Sequence, residues 1–390
     1  MEAILAETWW VRPEQLDDDQ RRVIGLPIGG SHLITGPPGS GKSNLLLLRA
    51  SYVRRAGRPN LIVLVFTRTL QEFMRAGVST YDIPSERIST FRRWKKRFLA
   101  EHNMTVDLPP DFDESRRVLN TAVIDVIHKR HLKNVYDCIL LDEAQDYLPE
   151  EMEIVCLLAR DVYAAADGEQ KIYRGKDPLP LLIAQKEPQT HRLRFHYRNG
   201  YKICRFADAI ASDSGSHVSI TSTSNYDEDA NPSTVTAYSA GTLQEQIANA
   251  ASQIERQLRV FPDEMIGVLC PRVDQAVAAY EQLAELYGEG CLLQTAERGY
   301  SPFAESTRVC VSTIHSAKGL EYRAVHVIGT EALQDFSYRR NVAYTAATRA
   351  KTSLSIHHSG ALPDFIEGAL ADIGPRPQLP RLGDLFGVKS

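Results

Sequence analysis

The segment Gly36-Pro-Pro-Gly-Ser-Gly-Lys42-Ser43 fits the pattern G-x-x-x-x-G-K-[ST], whose chemistry is phosphate binding. Gly36, Gly39 and Gly41, with Pro37, Pro38 and Ser40 between them, let backbone N–H groups curl around phosphate oxygens, and a following helix N-terminus adds partial positive charge. Lys42 would reach the β- and γ-phosphates of a nucleoside triphosphate as a point charge, while the Ser43 hydroxyl suits Mg²⁺. The pair Asp142-Glu143 closes the apolar run Cys138–Leu141. A carboxylate at such a strand end can support the Mg²⁺ shell, and its neighbour can orient an attacking water. These residues together specify triphosphate hydrolysis.

A second set of residues suits a nucleic-acid strand. Phe66-Thr67-Arg68 follows an apolar run, Ser89-Thr90-Phe91-Arg92-Arg93-Trp94 interleaves hydroxyl, aromatic and basic groups, and Thr313-Ile-His315 opens the segment Thr313–Tyr322. Groups of this kind hydrogen-bond phosphates and stack bases without reading sequence. Phe91 and Trp94 lie three apart on a helical stretch, so they fit core anchors as well as base platforms. Thr67, Thr90 and Thr313 stand ahead of either aromatic.

The elements that must position these residues alternate between short apolar strands and helical patterns, the signature of parallel sheets with helices on both faces. Strands are expected at Ser31–Thr35, Leu61–Phe66, Cys138–Asp142 and Val162–Ala166, with a helix from Lys42 to about Arg54. The pattern restarts near Arg192, with strands at Leu193–Phe195, Val235–Tyr238, Ile266–Cys270, Val309–Thr313 and Val325–Ile328. A capping-box pattern at Thr242-Leu-Gln-Glu245 starts a helix in that half. Two lobes follow, residues 1–190 and 191–360. Ala211–Pro232, rich in Ser, Asp and Asn, reads as an exposed loop. The proline-bearing residues 361–390 read as a tail, either frayed or docking a protein partner.

Composition narrows the function classes. A chain of 390 residues with 43% apolar content can bury two ordinary cores, and its net charge of −4 supplies no global basic field. Nucleic acid would have to be met by a local groove. The six cysteines are scattered without metal-ligand spacing, which suits buried free thiols in a reducing cytoplasm. The start of the chain lacks a signal-peptide pattern, and Leu61–Phe66 is too short to span a bilayer. A cytoplasmic protein without a membrane partner is expected.

Read in order, the motifs resemble those of superfamily 1 helicases of the UvrD/Rep type, over roughly residues 15 to 355. Asp142-Glu143-Ala-Gln-Asp146 is similar to the family's Walker B variant, and Lys318-Gly319-Leu320-Glu321 matches its far-lobe segment. The resemblance implies two tandem RecA-like P-loop NTPase domains of α/β class, each a mostly parallel sheet flanked by helices, with ATP and Mg²⁺ as ligands. It implies that Gln20 in Leu16-Asp-Asp-Asp-Gln20 hydrogen-bonds adenine, that Tyr197 in His196-Tyr197-Arg198 stacks on it, and that Glu321 lies near the ribose. Gln170 in Asp167-Gly-Glu-Gln170 would sense the γ-phosphate. Arg198 and Arg349, the latter in Ala343–Lys351, would be arginine fingers, and Tyr173 would join Phe66, Thr67, Arg68, Thr90, Phe91, Thr313 and His315 on the strand. Two arginines from a far lobe make physical sense, because the phosphoryl-transfer transition state spreads charge over equatorial oxygens and hydrolysis would then require lobe closure.

The chain also departs from the family. Ala166 stands where glycine is usual, His196 replaces an asparagine, and Arg174-Gly-Lys follows Tyr173 without the family's tryptophan. The spans Ala100–Asn134 and Leu292–Ser306 are too short for the large insertions of unwinding members. The reading is an ATP-driven translocase on single-stranded nucleic acid, DNA ahead of RNA, with 3′→5′ polarity implied by resemblance alone. The alternative is an ATP-switched regulatory subunit that gates an effector such as a nuclease in a genome-defence complex.

Overall fold

A computed structural model describes residues 16–167, 177–211, 219–335 and 338–374. The first sheet is wholly parallel and contains β1 (His32–Thr35), β2 (Leu61–Val65), β3 (Ile88–Thr90), β4 (Tyr136–Leu141), β5 (Ala159–Ala166) and β6 (Gln189–Arg192), in the spatial order β3-β2-β4-β5-β1-β6. Successive side chains of a strand point to opposite faces. Leu61, Val63 and Val65 of β2 therefore join one core with Leu46 and Phe73, while Ile62 and Leu64 join another with Trp94 and Leu119. Burial on both faces is why β2 reads as an unbroken apolar run.

The second sheet contains β7 (Thr234–Ala240), β8 (Ile266–Cys270), β9 (Cys291–Thr295), β10 (Gly299–Tyr300), β11 (Val309–Thr313), β12 (Tyr322–Val327) and β13 (Ala350–Ser359), in the order β10-β9-β11-β8-β12-β13-β7. All of its pairings are parallel except β9 with β10. The chain is thus α/β, with two mostly parallel sheets flanked by helices. The lobes touch through apolar side chains: Phe73 and Phe303 meet edge to face with centroids 5.3 Å apart. No helix among the described residues is long and apolar enough to cross a membrane.

The helices that frame the site are α1 (Asp18–Ile24), α2 (Lys42–Arg55), α3 (Arg68–Gly77), α4 (Phe91–Glu101) and α5 (Phe112–Lys129). Four begin at side-chain caps that accept a backbone N–H: Asp17 from Gln20, Thr67 from Leu70, Thr90 from Arg93 and Asp111 from Glu114. These caps fix where β2 and β3 end and therefore where Phe66, Thr67 and Thr90 stand. The span Ala100–Asn134 is occupied by α5, and Leu292–Ser306 holds most of β9 and the short β10.

Several expectations are corrected. Leu193–Phe195 is not a strand; the strand is β6, which pairs with β1 and still belongs to the first sheet. Its residues Gln-Thr-His-Arg are polar and largely exposed at the sheet edge, so they leave no apolar signature. The segment from 361 is not all tail, because Asp364–Ala371 is a helix that buries Phe365 and Ile366. Residues 375–390, with the docking role expected for them, lie outside the described residues, as do 212–218 of the expected loop. The rest of that loop is largely exposed, as expected, and is pinned at its start: Ile220 is buried, and the Asp208 carboxylate accepts from the N–H groups of Ile220 and Thr221 at 2.9 and 3.0 Å.

Candidate active site

The loop Gly36–Gly41 joins β1 to α2, so its N–H groups and the start of α2 face the same space. Lys42 Nζ donates to the carbonyls of Gly36 and Pro37 at 2.8 and 2.9 Å, folded back across the mouth of the loop. Gly39 has φ +77°, and a Cβ there would come within 2.6 Å of Arg198 Cβ. Backbone geometry and the approach of Arg198 both demand glycine.

Ser43 Oγ donates to Asp142 Oδ2 at 2.8 Å across the floor of the site. A hydroxyl and a carboxylate so close form an all-oxygen donor pair, which suits Mg²⁺, an ion that also takes phosphate and water ligands. Among the described residues no group of three or more His, Cys, Asp or Glu could hold a metal ion unaided. Burial and the adjacent Glu143 carboxylate push Asp142 up to about 7.

Glu143 sits in the left-handed region, φ 51°, an unusual conformation for a side chain of this size. Burial tends to raise its pKa, but Lys318, Lys42 and Arg349 together hold it below the usual carboxylate value. It is an anion in a cage of cations. Gln145 steadies it, donating from Nε2 to Glu143 Oε2 at 2.6 Å while Oε1 accepts from the N–H of Asp167 at 3.0 Å. Gln170, three residues beyond Asp167, lies outside the described residues, and so does Tyr173.

The second lobe presents the N-terminal ends of two strands. Glu321 precedes β12 and Arg349 precedes β13, and the N–H of Tyr322 bonds the carbonyl of Arg349 at 3.0 Å. Arg198 pairs with Glu321 and donates to the Thr348 carbonyl at 3.1 Å. Burial would raise Glu321, yet Arg198 and Lys351 hold it low. Arg349 is 2% exposed and donates to the carbonyls of Thr345 and Leu320 at 3.1 and 3.3 Å and to Thr348 Oγ1 at 3.2 Å. No carboxylate among the described residues forms an ion pair with it, and burial with the nearby Arg198 pulls it down to about 10. It remains a cation at neutral pH.

On the side expected to hold the base, Gln20 and Asp17 form a reciprocal cap: the N–H of Gln20 donates to Asp17 Oδ1 at 2.8 Å, and the N–H of Asp17 to Gln20 Oε1 at 3.1 Å. Gln20 Nε2 also reaches the Ser40 carbonyl at 3.0 Å. The Tyr197 hydroxyl donates to the other Asp17 oxygen, and the N–H of Tyr197 bonds the Gly39 carbonyl at 3.3 Å. His196 is fully buried with Nε2 2.7 Å from the Ile220 carbonyl, and burial lowers its pKa to about 4. Because the folded value lies below the unfolded one, the stability this group contributes is complete above about pH 6.5 and is lost as pH falls toward 4. The slope is about 1.4 kcal/mol per pH unit for one such group. Urea midpoints measured between pH 6.5 and 4 should therefore fall less steeply in His196→Asn than in the parent; identical slopes would exclude this histidine.

The strand-facing residues are only partly gathered. Thr67 Oγ1 donates to the Lys318 carbonyl at 3.1 Å, bringing the second-lobe segment onto the end of β2. The Lys318 ammonium lies 5.7 Å from the Phe66 ring centroid. Thr313 Oγ1 accepts from the N–H of Ser316 at 3.2 Å, His315 is half-buried, and the Arg68 guanidinium lies 4.9 Å from the Tyr300 centroid. Phe91 does not fit a base platform. It is 5% exposed and stacked on Trp94 with centroids 5.4 Å apart, inside the first-lobe core. The helical spacing that admitted both readings was the spacing of core anchors.

Sequence reasoning passed over one feature. Lys318 and Asp146 form a buried ion pair between the lobes, with Lys318 Nζ also 3.9 Å from Glu143. Both residues stood inside recognised motifs, but nothing in their spacing shows that they meet.

A P-loop lobe whose carboxylates face the arginines of a second parallel-sheet lobe is an arrangement suited to triphosphate chemistry. Residues 308–356 match the UvrD-like helicase C-terminal domain. Among solved structures it is similar to the C-terminal domain of a possible DNA helicase from Lactobacillus plantarum WCFS1, at 19% identity over 46% of this chain and 94% of that one, with a TM-score of 0.32. No curated protein matches the chain.

Proposed function

We propose that the chain is a nucleic-acid-dependent ATPase that moves along single strands, 3′→5′ and on DNA ahead of RNA, with hydrolysis gated by apposition of its two lobes. The supporting observation is the convergence of Lys42, Ser43, Asp142 and Glu143 from one lobe with Arg198, Glu321 and Arg349 from the other. Lys42 leaves the Gly36 and Pro37 carbonyls to bind the β- and γ-phosphates. Ser43 and Asp142 would hold Mg²⁺, which when bound would offset charge on the phosphates. Glu143 accepts a proton from the attacking water, and Arg198 and Arg349 meet the charge that develops on the γ-phosphoryl oxygens. Gln170 senses the γ-phosphate. Tyr197 stacks on adenine, Gln20 reads its edge and Glu321 lies by the ribose. Thr67, Thr90, Thr313, His315, Phe66 and Arg68 grip the strand.

Asp17 holds both base-side residues, so it can be tested by the tie it makes. Asp17→Ser keeps a helix cap but is too short to reach Tyr197, and Tyr197→Phe removes the same hydrogen bond with the ring intact. Each should raise KM for ATP about threefold to tenfold, as for a net contribution of roughly 1 kcal/mol. The double variant should be little worse than either single one. Additive effects would show that the two residues act separately.

Turnover of ATP with and without single-stranded DNA and RNA, across a salt series, tests the main reading. Stimulation that fades with salt at a log–log slope of about −0.7 per phosphate contact supports it. Turnover indifferent to either strand but raised by a protein partner would favour the regulatory alternative.

A further inference from the structure

With Phe91 buried, the first lobe still offers an aromatic besides Phe66 that could stack a base. Phe112, the first residue of α5, is 55% exposed. The guanidinium of Arg92, in the first turn of α4, lies 5.6 Å from its ring centroid. Arg92 follows Thr90 and Phe91 directly, so it stands beside the end of edge strand β3. One turn along α5, Arg116 lies 5.9 Å from the Phe66 centroid and is held there by Glu151. Arg116 itself is buried, so among these groups Phe112 is the exposed ring and Arg92 the partly exposed cation beside it.

The two charges are unequally committed. Arg116 is paired with Glu151, whereas Arg92, partly exposed, has no carboxylate partner among the described residues, and its buried Nη1 makes no hydrogen bond. Phe195 also lies near a guanidinium, that of Arg194, but Arg194 is bound to Asp19 at 2.8 Å. Arg92 thus combines an unneutralised cation with an exposed ring. The neighbours of Phe112 are acidic: Asp111 caps α5, and Asp113 and Glu114 are exposed in its first turn. They disfavour a phosphate over Phe112 itself and leave that charge to Arg92.

We propose that Phe112 and Arg92 extend the strand path past β3, Phe112 stacking one base and Arg92 binding an adjacent phosphate. This rests on the strand-tracking reading above. A flat ring without a hydrogen-bonding edge takes any base, so the contact would add grip without sequence preference.

Fluorescence anisotropy with labelled dT20 and U20, over a salt series, gives the test. Phe112→Ala should weaken binding between about fivefold and a hundredfold, the range for one stacked base, with the salt slope unchanged. Phe112→Trp should restore affinity. Arg92→Gln should reduce the slope by about 0.7, one phosphate contact on a single strand. Phe112 is exposed, so circular dichroism should show the parent fold in its variants. If the parent binds and Phe112→Ala binds equally well, the proposal is overturned and the patch serves another partner. If the parent binds neither oligonucleotide, the strand-tracking reading falls and the proposal falls with it.

Discussion

Glu143→Gln is expected to bind ATP with near-parental affinity and to lose about 10²–10⁴ in kcat, the range for removing a positioned general base. The reason lies in the charge environment. Lys318, Lys42 and Arg349 hold Glu143 ionised although it is buried, and Gln145 fixes one of its oxygens at 2.6 Å. The amide keeps the shape and cannot accept the proton. Its left-handed backbone is tolerated because the turn Ala144–Asp146 begins there, with the N–H of Asp146 bonding the Glu143 carbonyl at 2.9 Å. Binding of a fluorescent ATP analogue beside steady-state turnover separates the two effects. Turnover within a factor of two of the parent would take the base role from Glu143.

Arg349→Ala should reduce kcat by about 10³–10⁵, as for loss of an arginine finger, with ATP affinity changed far less. Arg349→Lys should recover little, since an ammonium cannot reproduce the planar fork of donors. Arg349 is a cleaner test than Arg198. Removing Arg198 leaves the buried Glu321 with Lys351 alone, at 3.8 Å, so lost activity would be mixed with lost stability. Arg349 forms no ion pair with a carboxylate among the described residues, so its removal strands none of them directly. A thermal melt accompanies the measurement, because the side chain is buried and truncation leaves a cavity. Full turnover in Arg349→Ala with an intact fold would mean that the second lobe does not complete the site.

How much of this was legible in the sequence depended on how each feature is encoded. β2 and β8 are apolar throughout and were placed from their residues, because strands covered on both faces leave no other signature. β6 was missed because an edge strand of Gln-Thr-His-Arg looks like a loop, and the neighbouring Leu193 and Phe195 drew the assignment past it. The nucleotide loop and Asp142-Glu143 could be read because phosphate chemistry dictates both residue type and spacing. Phe91 could not be settled, since a helix with aromatics three apart serves a core or a groove equally, and only packing against Trp94 and Tyr147 decides. Asp146 and Lys318 are 172 residues apart in the chain, and their meeting depends on how two lobes lie together.

That last contact bears on how the molecule could cycle. An interface sealed only by oily side chains resists parting, because separation wets apolar surface. Asp146 and Lys318 are different: each recovers a full hydration shell when pulled apart, and that recovery offsets much of the attraction given up. The cost of opening is thereby kept low while the geometry of the closed form stays specific. For the proposed cycle of lobe opening and closing, a joint that water helps to undo is well suited.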